Sequence, residues 1–349
     1  MKTAPIGILV VLLVLGAGVG ALATAAPVET FVMAVGGQST LIPPFGCSTF
    51  SAPSPVLDFF GALPPGLPTD GLATCKVAGG FNHQTAAGGV LNDATALSVT
   101  FNGGANSFTG AAAANAQSGK IGAKADGTFT GPSNSFIVEG ANAFGKYTDP
   151  LTLHSPTVPD GTPGFATLGI TVHGSLAVAL TGTADVEVRY QQAGGPIFNL
   201  IRAQLNGAAP FIATTNTVSL TVGDVVDGFT LGAGTIAGTG EIKTLALPVV
   251  FGTPFDFTLG ILAVASPSTN GTTTTDFFAS AQVTKIEATA NGQAVTDFSV
   301  TAGSGTPYDA NGVVLAGPGQ VPEPSVLLLL GAGPVALVGA RWVTRRRTD

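Results

Sequence analysis

Residues 92 to 301 consist of short runs in which apolar and polar side chains alternate. In residues 184–190, for example, every second residue is apolar and the intervening ones are Asp185, Glu187 and Arg189. Successive side chains of a β-strand point to opposite faces of a sheet, so this period predicts half-buried strands with a solvated polar face. No apolar period of about 3.6 residues is sustained outside the two termini, which argues against a helical body.

Turn signals separate these runs and indicate how the strands connect. The pair Asn291-Gly292 suits the two positive-φ positions of a type I′ turn and predicts a hairpin between residues 283–290 and 294–301. Further strands are predicted from their β-branched content at residues 95–101, 135–139, 170–180, 218–222 and 257–264. The predicted fold class is all-β, with an antiparallel β-sandwich or jelly-roll body at residues 91–320.

The N-terminus has the layout of a secretory signal peptide. Lys2 supplies a positive charge, and residues 6–20 are apolar and uncharged. Either Ala21-Leu22-Ala23 or Ala23-Thr24-Ala25 offers the small-x-small pattern of a cleavage site. We expect cleavage by signal peptidase after Ala25, following export by the Sec machinery. The alternative is a retained N-terminal helix, for which the apolar stretch is short.

The C-terminal segment, residues 321–349, joins three elements. Pro322-Glu323-Pro324 should be extended, because proline disfavours the α region for the residue before it. Residues 325–340 carry no charge and are nearly long enough for a helix to span a hydrocarbon core of about 30 Å. A basic cluster follows, formed by Arg341, Arg345, Arg346 and Arg347. These arginines would orient the C-terminus towards the cytoplasm and the body outside.

Two other readings of this segment are a buried core helix and a plain membrane anchor. A core helix does not usually end in an arginine cluster, and hydropathy does not separate an anchor from a processed signal. The motif Pro322-Glu323-Pro324, the apolar run and the basic end resemble the PEP-CTERM sorting signal of bacterial surface proteins. Only the Trp-Val-Thr insert after Arg341 departs from the common pattern.

The resemblance implies export across the inner membrane of a Gram-negative-type bacterium. It implies a transmembrane helix that anchors the chain until an exosortase, a membrane-embedded protease, cuts near Pro322-Glu323-Pro324. The body would then reach the cell surface or the exterior. PEP-CTERM proteins are associated with exopolysaccharide, biofilm and floc formation, so the resemblance implies a non-enzymatic matrix protein.

Residues 26–90 form an irregular, proline-rich region in which we expect loops and short edge strands. Cys47 and Cys75 both lie here. Export favours a disulfide between them, which would stabilise the fold by about 3 to 4 kcal/mol in the loop-entropy model. The alternatives are free thiols or a catalytic pair of a cysteine with His83, which the spacing alone does not indicate.

Charge limits the partners of the body. Between the two targeting segments there are 8 basic and 18 acidic residues. Nucleic acid binding needs clustered Lys and Arg, so nucleic acid is not an expected partner. Charged residues make up only 9% of the chain, against about 25% in ordinary globular proteins, so solubility must depend on uncharged polar groups.

No motif for a nucleophile elbow, a zinc protease or a phosphate-binding loop is present. The three histidines, His83, His154 and His173, are scattered. Asp185 and Glu187 could be the two carboxylates of a secreted glycoside hydrolase if they met in a cleft, but a solvated stripe is the stronger interpretation. We therefore predict a protein without catalytic residues and with no required cofactor.

Two weaker expectations concern ligands. Calcium would suit the oxygen donors in turns at Asp224, at Asp227-Gly228 and at Asp309 with Asn311-Gly312, although such residues usually serve the backbone. A carbohydrate-binding module would need exposed aromatic faces, and Tyr147, Tyr190 and Tyr308 are the tyrosines available.

Overall fold

The computed structural model describes residues 29–39, 59, 81–86, 89–101, 104–117, 119–132, 139–215, 217–309, 312–313 and 315. The chain divides into two compact units, Met1–Val314 and Leu315–Asp349. Only Leu315 of the second unit is described. The described residues of the first unit form nineteen β-strands.

The strands in chain order are β1 (Glu29–Ser39), β2 (Phe81–Ala86), β3 (Leu91–Phe101), β4 (Asn106–Gln117), β5 (Lys120–Thr130), β6 (Glu139–His154), β7 (Pro163–Ala179), β8 (Gly182–Gln192), β9 (Ile197–Asn206), β10 (Ala209–Thr214), β11 (Val218–Ser219), β12 (Val225–Val226), β13 (Phe229–Gly232), β14 (Thr235–Lys243), β15 (Leu247–Val250), β16 (Phe255–Pro267), β17 (Thr272–Ala290), β18 (Gln293–Val295) and β19 (Ser299–Ala302).

These strands make two antiparallel sheets. Sheet 1 has the order β11-β10-β9-β8-β16-β6-β1-β2, and β19 pairs with part of β6. Sheet 2 has the order β12-β13-β14-β7-β17-β5-β4-β3, with β15 beside the start of β7 and β18 beside the end of β17. Because the two sheets share one buried apolar cluster, they pack face to face as a β-sandwich.

The shared core follows from the alternation in the sequence. On β8, Val186, Val188 and Tyr190 are fully buried and point to the other sheet. In the second half of β4 the inward residues are Ala112, Ala114 and Ala116. A Cβ added to Gly145 of β6 would lie 2.7 Å from the backbone oxygen of Asn115 on β4. The backbones therefore approach closely here, which small side chains permit.

The outer face of sheet 1 is also largely buried. Its central strand β16 places Leu262 and Val264 on this face, and they are 1% and 2% exposed. Phe59, itself 3% exposed, packs over Gly260, where a Cβ would lie 2.5 Å from its ring. Strand β16 is therefore covered on both sides, which explains its nearly continuous apolar sequence.

The prediction of an all-β, antiparallel body is confirmed. The strands predicted at residues 95–101, 170–180 and 257–264 lie within or largely within β3, β7 and β16. The hairpin at Asn291-Gly292 is present, with φ values of 50° and 74° at its two central residues. Its second strand is short, however, because β18 ends at Val295 and the following β19 pairs with β6 in sheet 1.

Two local predictions differ from the structure. Residues 26–90 contain one short edge strand, β2, as expected, but also the eleven-residue strand β1, which lies between β6 and β2. The long strand β1 was not predicted. Its sequence is free of proline and buries apolar side chains on both faces. Residues 218–222 form only the two-residue β11, since the Ser219 hydroxyl accepts a hydrogen bond from the Thr221 amide and bends the chain.

Candidate functional site

A groove of about 600 Å³ lies at one end of the sandwich. It is lined by residues from the start of β7, the ends of β8 and β15, the start of β16 and the turn between β17 and β18. The lining consists of Pro163, Gly164, Phe165, Gln192, Pro248, Val249, Val250, Thr253, Pro254, Phe255, Asn291 and Gly292. Both sheets contribute, so the groove depends on the assembled sandwich.

Phe165 is the exposed aromatic residue of this groove. Its side chain is 51% exposed, whereas Phe255 in the same lining is 9% exposed and belongs to the core. Phe165 lies on β7 between Pro248 of β15 and Thr289 of β17 in the sheet register. Phe165 therefore has a paired strand on each side, and its ring is exposed to solvent.

Local sequence fixes the backbone around the ring. Proline residues at positions 163, 248 and 254 restrict φ to about −65°. At Gly164 an added Cβ would lie 2.3 Å from the Thr289 carbonyl oxygen, so only glycine fits between β7 and β17. These features give the groove a defined shape.

The polar groups of the groove are few and uncharged. The Gln192 side-chain amide donates a 2.6 Å hydrogen bond to the Pro248 carbonyl and so joins the end of β8 to β15. Within the described part of the chain, the side chains of Thr253 and Asn291 make no hydrogen bond. Among the described residues, no Asp, Glu, Lys, Arg or His contributes to the lining. The groove thus combines one exposed ring with a hydroxyl and an amide group that make no hydrogen bond within the described residues.

Asp185 and Glu187 lie elsewhere, on the outer face of sheet 1. The prediction that this face of β8 is solvated is wrong, because the two side chains are 1% and 2% exposed. They form an ion-pair network with Arg189 of the same strand and Arg202 of the neighbouring strand β9. Arg189 Nη2 lies 2.6 Å from Glu187 Oε2, and Arg202 Nε lies 3.1 Å from Glu187 Oε1.

The network also contains Asp185. Its Oδ2 accepts a 2.9 Å hydrogen bond from Gln204 and lies 3.8 Å from Arg202 Nη2. Burial, followed by the negative charge of Glu187, raises the pKa of Asp185 to about 7, although Arg202 opposes this. The structure thus brings Asp185 and Glu187 together with two arginines in a buried cluster. They do not form the open carboxylate cleft that a glycoside hydrolase would need.

The three tyrosines do not provide an exposed platform. Tyr147 is 1% exposed, and Tyr308 is partly buried against the core. Tyr190 is fully buried and stacks with Phe198 at 5.4 Å, while its hydroxyl accepts a 2.8 Å hydrogen bond from the Leu245 amide. A sugar-binding surface built on these tyrosines is therefore not supported.

The predicted ligands for metal ions are dispersed. His154 lies 3.4 Å from Asp160, and His173 lies 2.6 Å from the Thr239 hydroxyl on a different strand. His83 lies on β2, and its side chain lies outside the described part of the structure. Among the residues that the structure describes, no three His, Cys, Asp or Glu side chains gather into a group that could hold a metal ion.

The aspartates considered for calcium instead serve nearby turns. Asp224 accepts a 2.6 Å hydrogen bond from the Ser219 hydroxyl, and Asp227 accepts one of 2.6 Å from the Thr214 hydroxyl. The carboxylate of Asp309 accepts a 2.8 Å hydrogen bond from a backbone amide. Its predicted partner Asn311 lies outside the described residues.

Several predicted elements also lie outside the described residues. They are the signal peptide at residues 1–25, the strand core at 135–138, Cys47 and Cys75, the motif Pro322-Glu323-Pro324, and the basic residues Arg341, Arg345, Arg346 and Arg347. Over the ranges that the structure does describe, there is no helix long and apolar enough to cross a membrane.

The groove was not predicted from the sequence, although one signal was available. The outward positions of β7 after Phe165 are Thr167, Gly169, Thr171, His173 and Ser175. A phenylalanine at the head of this small and polar series breaks the pattern of a solvated face.

A search with models of protein families, with curated proteins and with solved structures finds no match to this chain.

Proposed function

We propose that this chain is an exported, non-enzymatic protein of the envelope or extracellular matrix of a Gram-negative-type bacterium. The observation that carries the proposal is the order of three elements at residues 321–349: Pro322-Glu323-Pro324, an uncharged run and an arginine-rich end. That order is the one expected of a sorting signal with a transmembrane helix, and residues 1–25 supply the matching export signal.

The proposed processing involves three partners. The Sec machinery and signal peptidase would act at the N-terminus, and an exosortase-type protease would cut near Glu323. Until that cut, the helix at residues 325–340 would hold the chain in the inner membrane, with Arg341 at the cytoplasmic side. The released body, an antiparallel sandwich or jelly roll, would then reach the surface or the exterior, where exopolysaccharide is the proposed partner.

The chemistry of the described body supports a non-enzymatic role. Asp185 and Glu187 are both shielded from water: Glu187 forms ion pairs with Arg189 and Arg202, and Asp185 accepts a hydrogen bond from Gln204. His154, Asp224 and Asp227 are engaged with local partners. In an oxidising exterior, we also propose a disulfide between Cys47 and Cys75.

Cell fractionation tests the sorting proposal. A chain with an epitope in the body should leave the cytoplasm and reach the surface or medium after losing residues 321–349. Glu323→Ala should leave the uncut chain in the membrane fraction. Pro318→Ala, which changes a proline just outside the motif, is the matched control and should be processed normally. A full-length chain that stays in the cytoplasm, or equal processing of both variants, would refute the proposal.

A further inference from the structure

We propose that the groove at the end of the sandwich binds a neutral saccharide chain, with the ring of Phe165 as its stacking platform. This inference rests on the proposed function, because export would place the groove among extracellular polysaccharides. The proposed sorting signal by itself indicates neither a ligand nor a binding site for the body.

The dimensions and the ring suit such a ligand. A volume of about 600 Å³ falls within the range of about 300 to 1,000 Å³ that is common for small-ligand sites. Phe165 is 51% exposed although it stands inside this concave surface. The apolar C–H face of a sugar ring can cover a phenyl ring, which removes that exposed area from water.

The absence of charge in the lining selects the class of saccharide. An acidic polysaccharide would meet no Lys or Arg in the groove, whereas a neutral sugar needs only hydroxyl and amide partners. The Thr253 hydroxyl and the Asn291 amide supply these partners within the described residues, since neither makes an internal hydrogen bond. The side-chain oxygen of Gln192 is a further acceptor, because only its amide nitrogen is bonded to Pro248.

The edge of β15 argues against an extended peptide in the same groove. A peptide strand would have to bond to the free backbone groups of Pro248 and Val250. Proline has no amide hydrogen, and the Pro248 carbonyl already accepts from Gln192. The Val250 carbonyl already accepts a 3.0 Å hydrogen bond from the Thr253 amide. Strand addition is therefore blocked at these positions.

The shape of the groove is preorganised. Pro163, Pro248 and Pro254 restrict the backbone of the lining, and the turn at Asn291-Gly292, with positive φ at both residues, also contributes to it. Little conformational entropy is lost when a ligand orders such a surface. Binding by a single ring should still be weak, because stacking and a few hydrogen bonds are the whole interaction.

Affinity electrophoresis of the full chain in mild detergent tests the proposal. The probes are two neutral glucans, dextran and laminarin, and the acidic polysaccharide alginate. We expect at least one neutral glucan to retard the wild-type chain, with little dependence on salt. Phe165→Ala should weaken this retardation by about tenfold. Leu180→Ala, which changes a 76% exposed residue just beyond the other end of β7, should leave it unchanged.

A circular dichroism melt of each variant checks folding, and Phe165→Tyr keeps a ring if the alanine variant fails to fold. The tyrosine variant should retain glucan binding. The proposal is overturned if neither neutral glucan retards the wild type, if only alginate does, or if Phe165→Ala and Leu180→Ala bind alike. None of these results would alter the fractionation of the Glu323→Ala variant, so sorting and binding can fail separately.

Discussion

Replacing Asp185 with asparagine should remove a large part of the pH dependence of the unfolding free energy between pH 4 and 8. Asp185 is 1% exposed and lies beside Glu187 in the buried network. Its pKa rises from 3.8 to about 7, mainly because burial disfavours the charged carboxylate and then because Glu187 repels it. Arg202 and Gln204 reduce the increase without cancelling it.

The sign follows from proton binding in the two states. Between pH 3.8 and about 7, the folded chain keeps a proton on Asp185 that the unfolded chain has released. The stabilisation from this group is therefore complete below pH 3.8 and is lost as the pH rises to about 7. At 1.36 kcal/mol for each tenfold change in proton affinity, the loss is about 4 kcal/mol.

Asparagine has the shape of the protonated acid and does not titrate. The Asp185→Asn variant should thus match the wild type near pH 4 and exceed its stability by up to about 4 kcal/mol at pH 8. Urea unfolding followed by far-ultraviolet circular dichroism at several pH values measures this difference. Asp224→Asn, at an exposed aspartate, is the control and should follow the wild-type curve. A difference between wild type and Asp185→Asn that is constant with pH would refute the reasoning.

Three further changes test the packing. Gly145→Ala places a methyl group against the backbone of the facing sheet and should destabilise the fold by about 1 to 3 kcal/mol in a thermal melt. Tyr190→Phe keeps the buried ring but leaves the Leu245 amide without its acceptor, so urea unfolding should show a loss of about 1 kcal/mol; an unchanged midpoint would contradict this. Ser304→Ala removes the hydroxyl that donates to the buried carboxylate of Asp149 and should cost about 1 to 3 kcal/mol by the same assay.

Much of the fold was predictable because alternation is a local signal. The run that became β8 and the turn at Asn291-Gly292 each specify strand and turn geometry within a few residues. The pairing of β19 with sheet 1 was not predictable, because it depends on where distant strands lie after the chain has folded. Strand β1 was not predicted, because the prolines elsewhere in residues 26–90 indicate loops and short edge strands.

The burial of Asp185 and Glu187 illustrates the limit of the same signal. Alternation shows that two faces of a strand differ, but it does not show whether the polar face meets water or another part of the protein. Here the neighbouring strand β16 carries apolar residues on that face, and Phe59 packs against it. The groove around Phe165 was missed for a related reason, since its lining comes from five separate places in the chain.

The two arginines of the described body lie in the buried network and not in the lining of the groove. Residues 26–320 contain only two arginines, Arg189 and Arg202, and both contact Glu187. A planar guanidinium can bind carboxylates while it is largely desolvated, which a strongly hydrated lysine ammonium does less well. These two arginines are thus engaged with the buried Glu187, so they are not available to attract an acidic polymer. Since no Lys or Arg lines the groove among the described residues either, the proposed saccharide would be recognised there through a ring face, hydroxyls and amides.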